Sequence, residues 1–424
     1  MPKRERSCVI VVENLPVPFD RRVWQEANAL RKAGWRVSVI CPSSPLYPLE
    51  FEEIDGIAIY RHPLPIEAQG LWAFALEYSF ALFHEFRLLL KVWKERGFSV
   101  IQACNPPDLI FLVALPFKLR GVRFVFDQHD TVPLLFVSKF GRKGLLYHLL
   151  SFFERLSFFF ADFVFFANDT FREIAIERKL VRPELTEAVY GICDRALVCS
   201  AEPDESLKHG RKLVLGYVGI IGAQDGLDQL VRAVAHVRHE ENFGDFHTVV
   251  VGDGPALPQV RALAKELGVE ENVSFVGYQV GDALKRHLST FDIGIIPDPL
   301  NPTNDNMSMN KVYEYCQLGI SIASYKLRET SRLLGDAAVY AETPDPEALG
   351  VACLKLMRDD RLRAECAEKA RNLGKYAFVW DREAKKYVDG YNALFSRQAH
   401  RSVWSQIGVL FGMCKRGPKS REAS

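Results

Sequence analysis

Between Pro297 and Gly319 the chain reads PDPLNPTNDNMSMNKVYEYCQLG, a polar loop that opens into a helix near Ser308–Asn310 and stops at Gly319. Asn304, Asp305, Asn306, Ser308 and Asn310 crowd it with more short polar side chains than a plain connection needs. An anion at this helix start would meet free backbone N–H groups and the positive end of the helix dipole. Lys311 adds a full positive charge. Glu314, one turn on, suits a bidentate acceptor for vicinal hydroxyls such as a ribose diol. The periodicity places Val312, Tyr315 and Cys316 on the buried stripe and Lys311 and Glu314 off it, so a solvated surface pair is the plainer alternative.

Three more turns follow strands. GYVGIIGAQDGLD (Gly216–Asp228) has glycines at 216, 219, 222 and 226 that allow close backbone approach. Lacking both GxGxxG and GK[ST], it fits either a phosphate cradle using Gly222 and Gly226 or a structural turn. DQHD (Asp127–Asp130) ends a strand, and His129 there is a candidate for contact with a reacting group, or else a satisfied core histidine. PVPFDRR (Pro16–Arg22) offers Asp20 as a helix N-cap, while Arg21 and Arg22 oppose the dipole of that helix and point to an anion. Asp20, Arg21 and Arg22 thus form a candidate acceptor- or phosphate-contacting group. Gly252-Asp253-Gly254-Pro255 and Asn105-Pro106-Pro107-Asp108 read as plain turns.

The elements that must position these loops are short apolar runs alternating with helical patterns. The first half offers strands at Cys8–Glu13, Trp35–Cys41, Val100–Cys104, Val122–Asp127, Ala161–Ala167 and Ala188–Tyr190. The second offers Lys212–Val218, His247–Val251, Val273–Val276, Asp292–Ile296, Ile320–Ser324 and Ala337–Tyr340. Continuous rather than alternating apolarity marks strands buried on both faces, the mark of a parallel sheet. The expectation is α/β: two tandem, doubly wound Rossmann-like domains, 1–200 and 201–380, divided in the polar stretch CSAEPDESLKHG. A helix over 381–396 would cross back onto the first domain, followed by a basic tail, 397–424. Ligands sit outside the carboxyl ends of such strands, and two facing sheets would form a cleft.

The 424 residues suit two or three domains, and near-balanced charge, 54 basic against 53 acidic, argues against a nucleic-acid partner. Nine scattered cysteines without a CxxC pair argue against a zinc site or disulfide framework and favour a reducing, cytoplasmic compartment. The most apolar window, Leu145–Phe166, contains His148, Glu154, Arg155 and Asp162. Each acid or arginine at mid-span would cost roughly 2.5–3.5 kcal/mol, so the window does not span a bilayer.

The ordered pieces FDRRVWQEANALRKAGWRVSVI, NPPDLIFLVALPFKLRGVRFVFDQHD, GYVGIIGAQDGLDQLVRAV, VVVGDGPALPQVRALAKELGVEENVSFVGY, DIGIIPDP and SMNKVYEYCQLG with GDAAVY together resemble the retaining family 4 glycosyltransferases of the GT-B fold, in particular bacterial enzymes of surface-polysaccharide and exopolysaccharide pathways. The resemblance implies a nucleotide-sugar, UDP-sugar foremost, in the second domain and a glycan or polyprenyl-diphosphate-linked acceptor in the first. It implies no cofactor and no metal. The family's E-x7-E element maps its second glutamate onto Glu314 for the ribose and its first onto Asn306, a departure that leaves Asn304, Asp305 or Asn306 to hold the donor sugar. The family's Arg and Lys of the glycine loop are replaced by Ile220 and Asp225, so Lys311, the helix start and Arg21 or Arg22 must neutralise the diphosphate. The acid that often follows the family's HD-x-x-P pattern is missing, since Pro133 precedes Leu134. The resemblance further implies front-face attack with the leaving phosphate helping to take the acceptor proton, His129 near the reacting end of the sugar, and Asp130 orienting or assisting it. The alternatives are a non-catalytic glycosyltransferase-like subunit, a sugar-nucleotide epimerase or phosphorylase of the same design and, remotely, a dehydrogenase.

Eight of the 29 phenylalanines lie between Phe152 and Phe166, with Lys139, Arg142 and Lys143 just before them. Leu71–Lys94 adds Trp72, Phe74, Phe80, Phe83 and Trp93. Trp404, Ile407, Val409, Leu410 and Phe411 precede KRGPKSR in the tail. Such stretches fit either ordinary packing on the first sheet or an anionic membrane surface.

Overall fold

The computed structural model describes residues 6–63, 71–193, 195 and 198–395, with backbone alone for residues 71–78. The expected tail 397–424 and the side chains of Trp72 and Phe74 lie outside the described residues. The chain divides into two units, one of residues 1–190 with the segment from Arg382, the other Gly191–Asp381.

The first unit is built on β1 (Ser7–Val11), β2 (Arg36–Pro42), β3 (Phe51–Ile54), β4 (Ile57–His62), β5 (Val100–Cys104), β6 (Arg123–Gln128), β7 (Phe163–Phe166) and β8 (Thr186–Ala188), in the order β3-β4-β2-β1-β5-β6-β7-β8. All neighbours are parallel except β3 and β4, and β1 aligns Cys8 with both Val37 and Val100. β1, β5 and β7 are buried along their whole length, as their unbroken apolar runs require. The β3–β4 hairpin is a departure from the sequence reading. Its signal was Asp55-Gly56, both with positive φ (51° and 78°), the pair a two-residue hairpin turn needs. Glu52 and Glu53 break up the apolar pattern of β3 and hide it.

The second unit contains β9 (Leu213–Val218), β10 (Phe246–Val251), β11 (Val273–Gly277), β12 (Ile293–Ile296), β13 (Ser321–Ser324) and β14 (Ala338–Tyr340). All are parallel, in the order β11-β10-β9-β12-β13-β14. Both sheets are doubly wound, with the order in which strands are added reversing across β1/β5 and across β9/β12. Ligands of open α/β sheets collect outside the carboxyl ends at such reversals.

The division falls at Tyr190–Gly191 rather than at residue 200, because hydrogen bonds assign the polar stretch to the second unit. Tyr190 N donates to Glu383 Oε2 (3.0 Å) within the first unit, whereas Gln317 Nε2 donates to Cys193 O (2.8 Å). Ala201 N donates to Ser289 Oγ and Asp204 N to Thr290 Oγ1.

The helix Trp380–Ala393 seals the first sheet from Arg382 onward. Tyr387 and Tyr391 are fully buried, with ring centroids 4.7 and 6.0 Å from Phe165, and Tyr391 meets Trp35 edge-on at 5.2 Å. Gly390 makes this seat possible, since a Cβ there would lie 2.6 Å from the Phe165 ring. Among the described residues no helix is long and apolar enough to cross a membrane. In the helix Leu145–Phe160, Glu154 is buried and paired with Arg178 at 2.7 Å.

Both tyrosine hydroxyls of the closing helix donate to one acceptor, Gln102 Oε1 on β5 (2.7 and 2.6 Å). The double variant Tyr387→Phe/Tyr391→Phe keeps the rings and strands that acceptor. Urea unfolding should show a loss of about 1–3 kcal/mol, with each single variant costing less because one donor remains.

Candidate functional site

In the first unit the site grows from the buried ends of β5 and β6. Gln102 uses its whole amide: Oε1 accepts from the two tyrosines, and Nε2 donates to Glu26 Oε2 (2.8 Å) and Asp127 Oδ2 (3.0 Å). Asp127 accepts Arg22 on Oδ1 at 2.9 Å, and its Oδ2 lies 3.0 Å from His129 Nε2. Burial alone would raise the Asp127 carboxyl, but Arg22 and His129 outweigh burial and hold it well below the usual carboxylate range. Glu26, buried beside it, is pushed well above that range by burial and then by Asp127. Two buried carboxyls thus face a single guanidinium, one held low and the other pushed high.

With Nε2 facing a carboxylate, His129 carries its proton there and presents Nδ1 as the remaining acceptor of a half-buried ring. The acid hydrogen-bonded to His129 is Asp127, while Asp130, expected to orient or assist it, feels the charge of His129 and is held through its backbone. Asn105 Oδ1 accepts from the N–H groups of His129 (2.7 Å) and Asp130 (3.2 Å), while its Nδ2 donates to Asp130 O and Asp108 Oδ1. Asn105, read as part of a plain turn, is thus the clamp that shapes the DQHD loop. Only its place after a strand at the sheet reversal could have signalled this.

Arg22 is also a correction. Its guanidinium is spent inside the unit on Asp127, Glu26 (3.1 Å) and Val189 O (2.5 Å), so the anion it answers is the protein's own. Asp20 is the expected N-cap, buried, its Oδ1 accepting Val23 N at 3.1 Å. Arg21 is exposed at the same helix start. Cys104 Sγ, Asp127 and His129 lie close enough to share a metal ion. Asp127 already receives Arg22 and Gln102 as donors, and a cation beside the guanidinium would be repelled, so the donor set fits a hydrogen-bonded cluster better than a metal.

In the second unit the structure joins turns that the sequence shows apart. Gly226 passes over Pro297, where a Cβ would lie 2.0 Å from the carbonyl oxygen. Gly252 packs on Gly219 (Cβ to O 1.8 Å) and Gly254 on Ile221. These glycines serve backbone-to-backbone packing at the ends of β10, β9 and β12, and the Gly222 N–H is engaged by Asp225 Oδ2 at 2.8 Å. Tyr315 fastens the reversal, its hydroxyl donating toward Gly216 O (3.2 Å) and Ile295 O (3.3 Å) on neighbouring strands.

The helix Asn310–Leu318 begins and ends as expected, with Gly319 left-handed at its end. Lys311 and Glu314 are not off its buried face: each is only 7% exposed. The Lys311 ammonium meets Asp298 Oδ2 at 2.7 Å, 4.7 Å from the centre of the Tyr217 ring, and its Cε lies under Gly219. Burial raises Asp298 against the pull of Lys311. The loop polar residues mostly build the loop. Asn304 Nδ2 donates to Gln224 O and Pro299 O, Asn306 Nδ2 to Pro302 O, and Asp305 Oδ1 accepts Arg328 N. Ser308 is half-buried before the helix, and Asn310 is exposed at its first position. No side chain caps that helix start.

Residues 20–190 match the family model described as "Glycosyl transferase 4-like domain", and residues 212–359 the one described as "Glycosyl transferases group 1". An uncharacterized glycosyltransferase of Methanocaldococcus jannaschii is 25% identical over 42% of this chain and 44% of its own length. The chain spans about half the length, or less, of the curated relatives it matches. Sucrose-phosphate synthase from Thermosynechococcus elongatus is similar in fold (TM-score 0.75, 15% identity, 92% of this chain and 99% of that one). So is HepE of Anabaena in complex with UDP and glucose (TM-score 0.68, 14% identity, 92% and 100%). The fold is that of the GT-B proteins. Each unit thus matches a glycosyltransferase domain model, the two standing in tandem along the chain.

Asp108, which receives Asn105, supplies a titration. Burial first, and then Glu154, raises its carboxyl to about 8. Between about pH 4 and that value it is protonated when folded and ionised when unfolded, so folding takes up a proton and stability falls as pH rises. Asp108→Asn removes this titration, and its denaturation midpoint should vary less than wild type between pH 5 and pH 8.

Proposed function

We propose that the chain transfers a sugar, with retention, from a UDP-sugar to a glycan or polyprenyl-diphosphate-linked acceptor in surface-polysaccharide synthesis. The observation that supports it most is the second unit's locked carboxyl edge, where glycine turns, an uncapped helix start, Lys311 and Glu314 converge at the sheet reversal. Glu314 takes the ribose diol, and the helix N–H groups and Lys311 take the diphosphate. HepE, similar in fold, is described with UDP and glucose, which supports a uridine donor.

In the reaction the bond between the anomeric carbon and the diphosphate oxygen breaks, and one to the acceptor oxygen forms on the same face. The acceptor proton passes to the departing phosphate. Catalysis is then positioning plus neutralisation of the growing diphosphate charge. Lys311, paired with Asp298 at rest, can turn toward that charge as it develops. In the first unit, which takes the acceptor, His129 is braced by Asp127 and offers Nδ1.

Glu314→Ala should weaken UDP binding by about 10- to 100-fold in calorimetry, the value of a charge-assisted hydrogen-bond pair. Lys311→Ala should lower turnover by about 100-fold or more while changing UDP affinity less, because its partner charge grows in the transition state. Equal, negligible effects would sink the assignment. Silence toward every nucleotide-sugar would favour the non-catalytic subunit.

The same reading includes contact with an anionic bilayer. Phe140, Leu145, Leu149 and Phe152 are exposed, the last three on one stripe of the helix Leu145–Phe160. Lys139, Arg142 and Lys143 are exposed beside them, and no acid occurs from Thr131 to Phe153. Apolar side chains flanked by unopposed cations suit a headgroup layer. Sedimentation with vesicles containing phosphatidylglycerol should retain the chain at low salt and release it with Leu145→Glu/Phe152→Glu; indifference to such vesicles rejects the contact.

A further inference from the structure

The bilayer contact described above uses one helix, but the exposed apolar side chains of the first unit run on across two more. The helix Leu71–Glu95 packs on β2 and β4, and the helices Phe111–Lys118 and Leu145–Phe160 both pack on β6. Ring contacts join the three into one layer. Phe86 and Trp93 of the first lie 6.0 and 5.5 Å from Phe117 of the second, and Phe111 of the second stacks on Phe160 of the third at 5.5 Å. β7 shows which face of the sheet this layer covers. Phe166 meets Phe158 of the third helix at 5.8 Å, while Phe165, on the opposite side of the strand, meets the closing helix.

The outer surface of the layer carries apolar groups and cations. On the first helix Phe80, Phe83, Arg87, Leu90 and Lys94 step by three or four along one exposed stripe. Leu112 and Leu119, two turns apart, are exposed on the second, and the third carries the stripe already described. Acids are kept off it. The second helix has none. Among the described side chains of the other two, Glu85 and Glu154 are buried, and Glu95, exposed at the end of the first, accepts the Tyr60 hydroxyl at 3.0 Å. An ordinary solvated surface intersperses both signs of charge. Large apolar groups set among cations are complemented by anionic headgroups over a hydrocarbon layer, which takes up both. A second copy of the chain seated on the same face would instead set like charges against each other.

We propose that these three helices form a single face by which the first unit lies flat on an anionic bilayer. The assignment rests on the bilayer contact in the reading above and extends it from one helix to the whole layer. Helices packed between parallel strands run along the sheet, so a bilayer against this layer lies parallel to the strands. Their carboxyl ends, where ligands of this architecture collect, then open sideways at headgroup height. The diphosphate of a lipid-linked acceptor lies at that height, which favours such an acceptor over a soluble glycan.

The test is sedimentation of the full chain at low salt with vesicles of phosphatidylcholine and phosphatidylglycerol, with circular dichroism and UDP affinity measured in parallel. Phe83→Glu/Leu90→Glu and Leu112→Glu/Leu119→Glu leave the third helix intact. Each should still lower the partition onto these vesicles about tenfold or more, since two apolar groups are lost and two repelled charges gained. Lys385→Glu changes the net charge by the same amount on the closing helix, across the sheet, and should bind as the wild type does. Folding and UDP affinity should be unchanged in all three. Wild-type partition of both double variants confines the contact to one helix and overturns the proposal. So does an equal loss with Lys385→Glu, or a wild-type chain that dimerises through this face without lipid. Indifference of the wild-type chain to the vesicles overturns it together with the bilayer contact above; UDP binding in that case leaves the donor reading intact.

Discussion

Asp127 holds a negative charge where no water reaches it, and much of the first unit is arranged to make that tolerable. A buried carboxylate is stable only when its charge is matched and its lone pairs are filled. Arg22 supplies the charge from the first helix, Gln102 a donor from β5, and His129 a donor from the loop beyond β6. Glu26, on the same helix face as Arg22, would leave the cluster one negative charge in excess. Its carboxyl is instead pushed well above the ordinary range by burial and by Asp127, which favours the uncharged form. The arrangement fixes the tautomer and aim of His129, and it removes Arg22 from the cations available to a ligand. Losing one partner of such a group costs more than the pair is worth, since an unmatched charge stays behind.

The second unit solves a different problem, bringing main chain close to main chain. At its sheet reversal three loops cross within van der Waals contact, and glycine is required wherever a Cβ would strike a carbonyl oxygen. Gly252 and Gly226 also have positive φ (147° and 70°), so their role is doubly backbone in origin. The N–H groups of Gly219, Ile221, Gly222 and Gly252 are already engaged within this floor, so in a chain with Ile220 and Asp225 in its glycine loop an anion would be left with the helix start at Asn310 and with Lys311. The polar loop that looked like a row of sugar ligands is mostly self-bonded: Asn304 and Asp305 hold the main chain of neighbouring segments in place.

What the sequence disclosed follows from what is local. Eleven strands were legible, chiefly because a strand buried on both faces is apolar throughout and such runs stand out, whereas β8, expected at Ala188–Tyr190, runs over Thr186–Ala188. The edge hairpin was not: β3 alternates exposed and half-buried residues and carries two acids, and β4, although buried throughout, ends in the polar pair Arg61-His62. The helix at Asn310 was readable from its loop and its terminal Gly319. The burial of Lys311 and Glu314 was not, because helical spacing reveals one buried stripe and says nothing of a second contact supplied by another loop. Side-chain partnerships were the least visible. Arg22 meets Asp127 across 105 positions and Gln102 meets Tyr387 across 285, distances over which no local spacing carries information.

That last separation has a consequence for assembly. The first unit is discontinuous, with the whole of the second inserted between Tyr190 and Arg382. Until residues 387 and 391 are made, Gln102 Oε1 has no donor, and Trp35 and Phe165 lack the tyrosine rings that cover them. Gln102 in turn is what joins Asp127 to Glu26. The second unit has no such debt, for its strands and helices are continuous in sequence and close on their own. Emerging from the ribosome, it can complete its sheet while the first is still open. The histidine loop of the first unit then acquires its final bracing only when Tyr387 and Tyr391 reach Gln102.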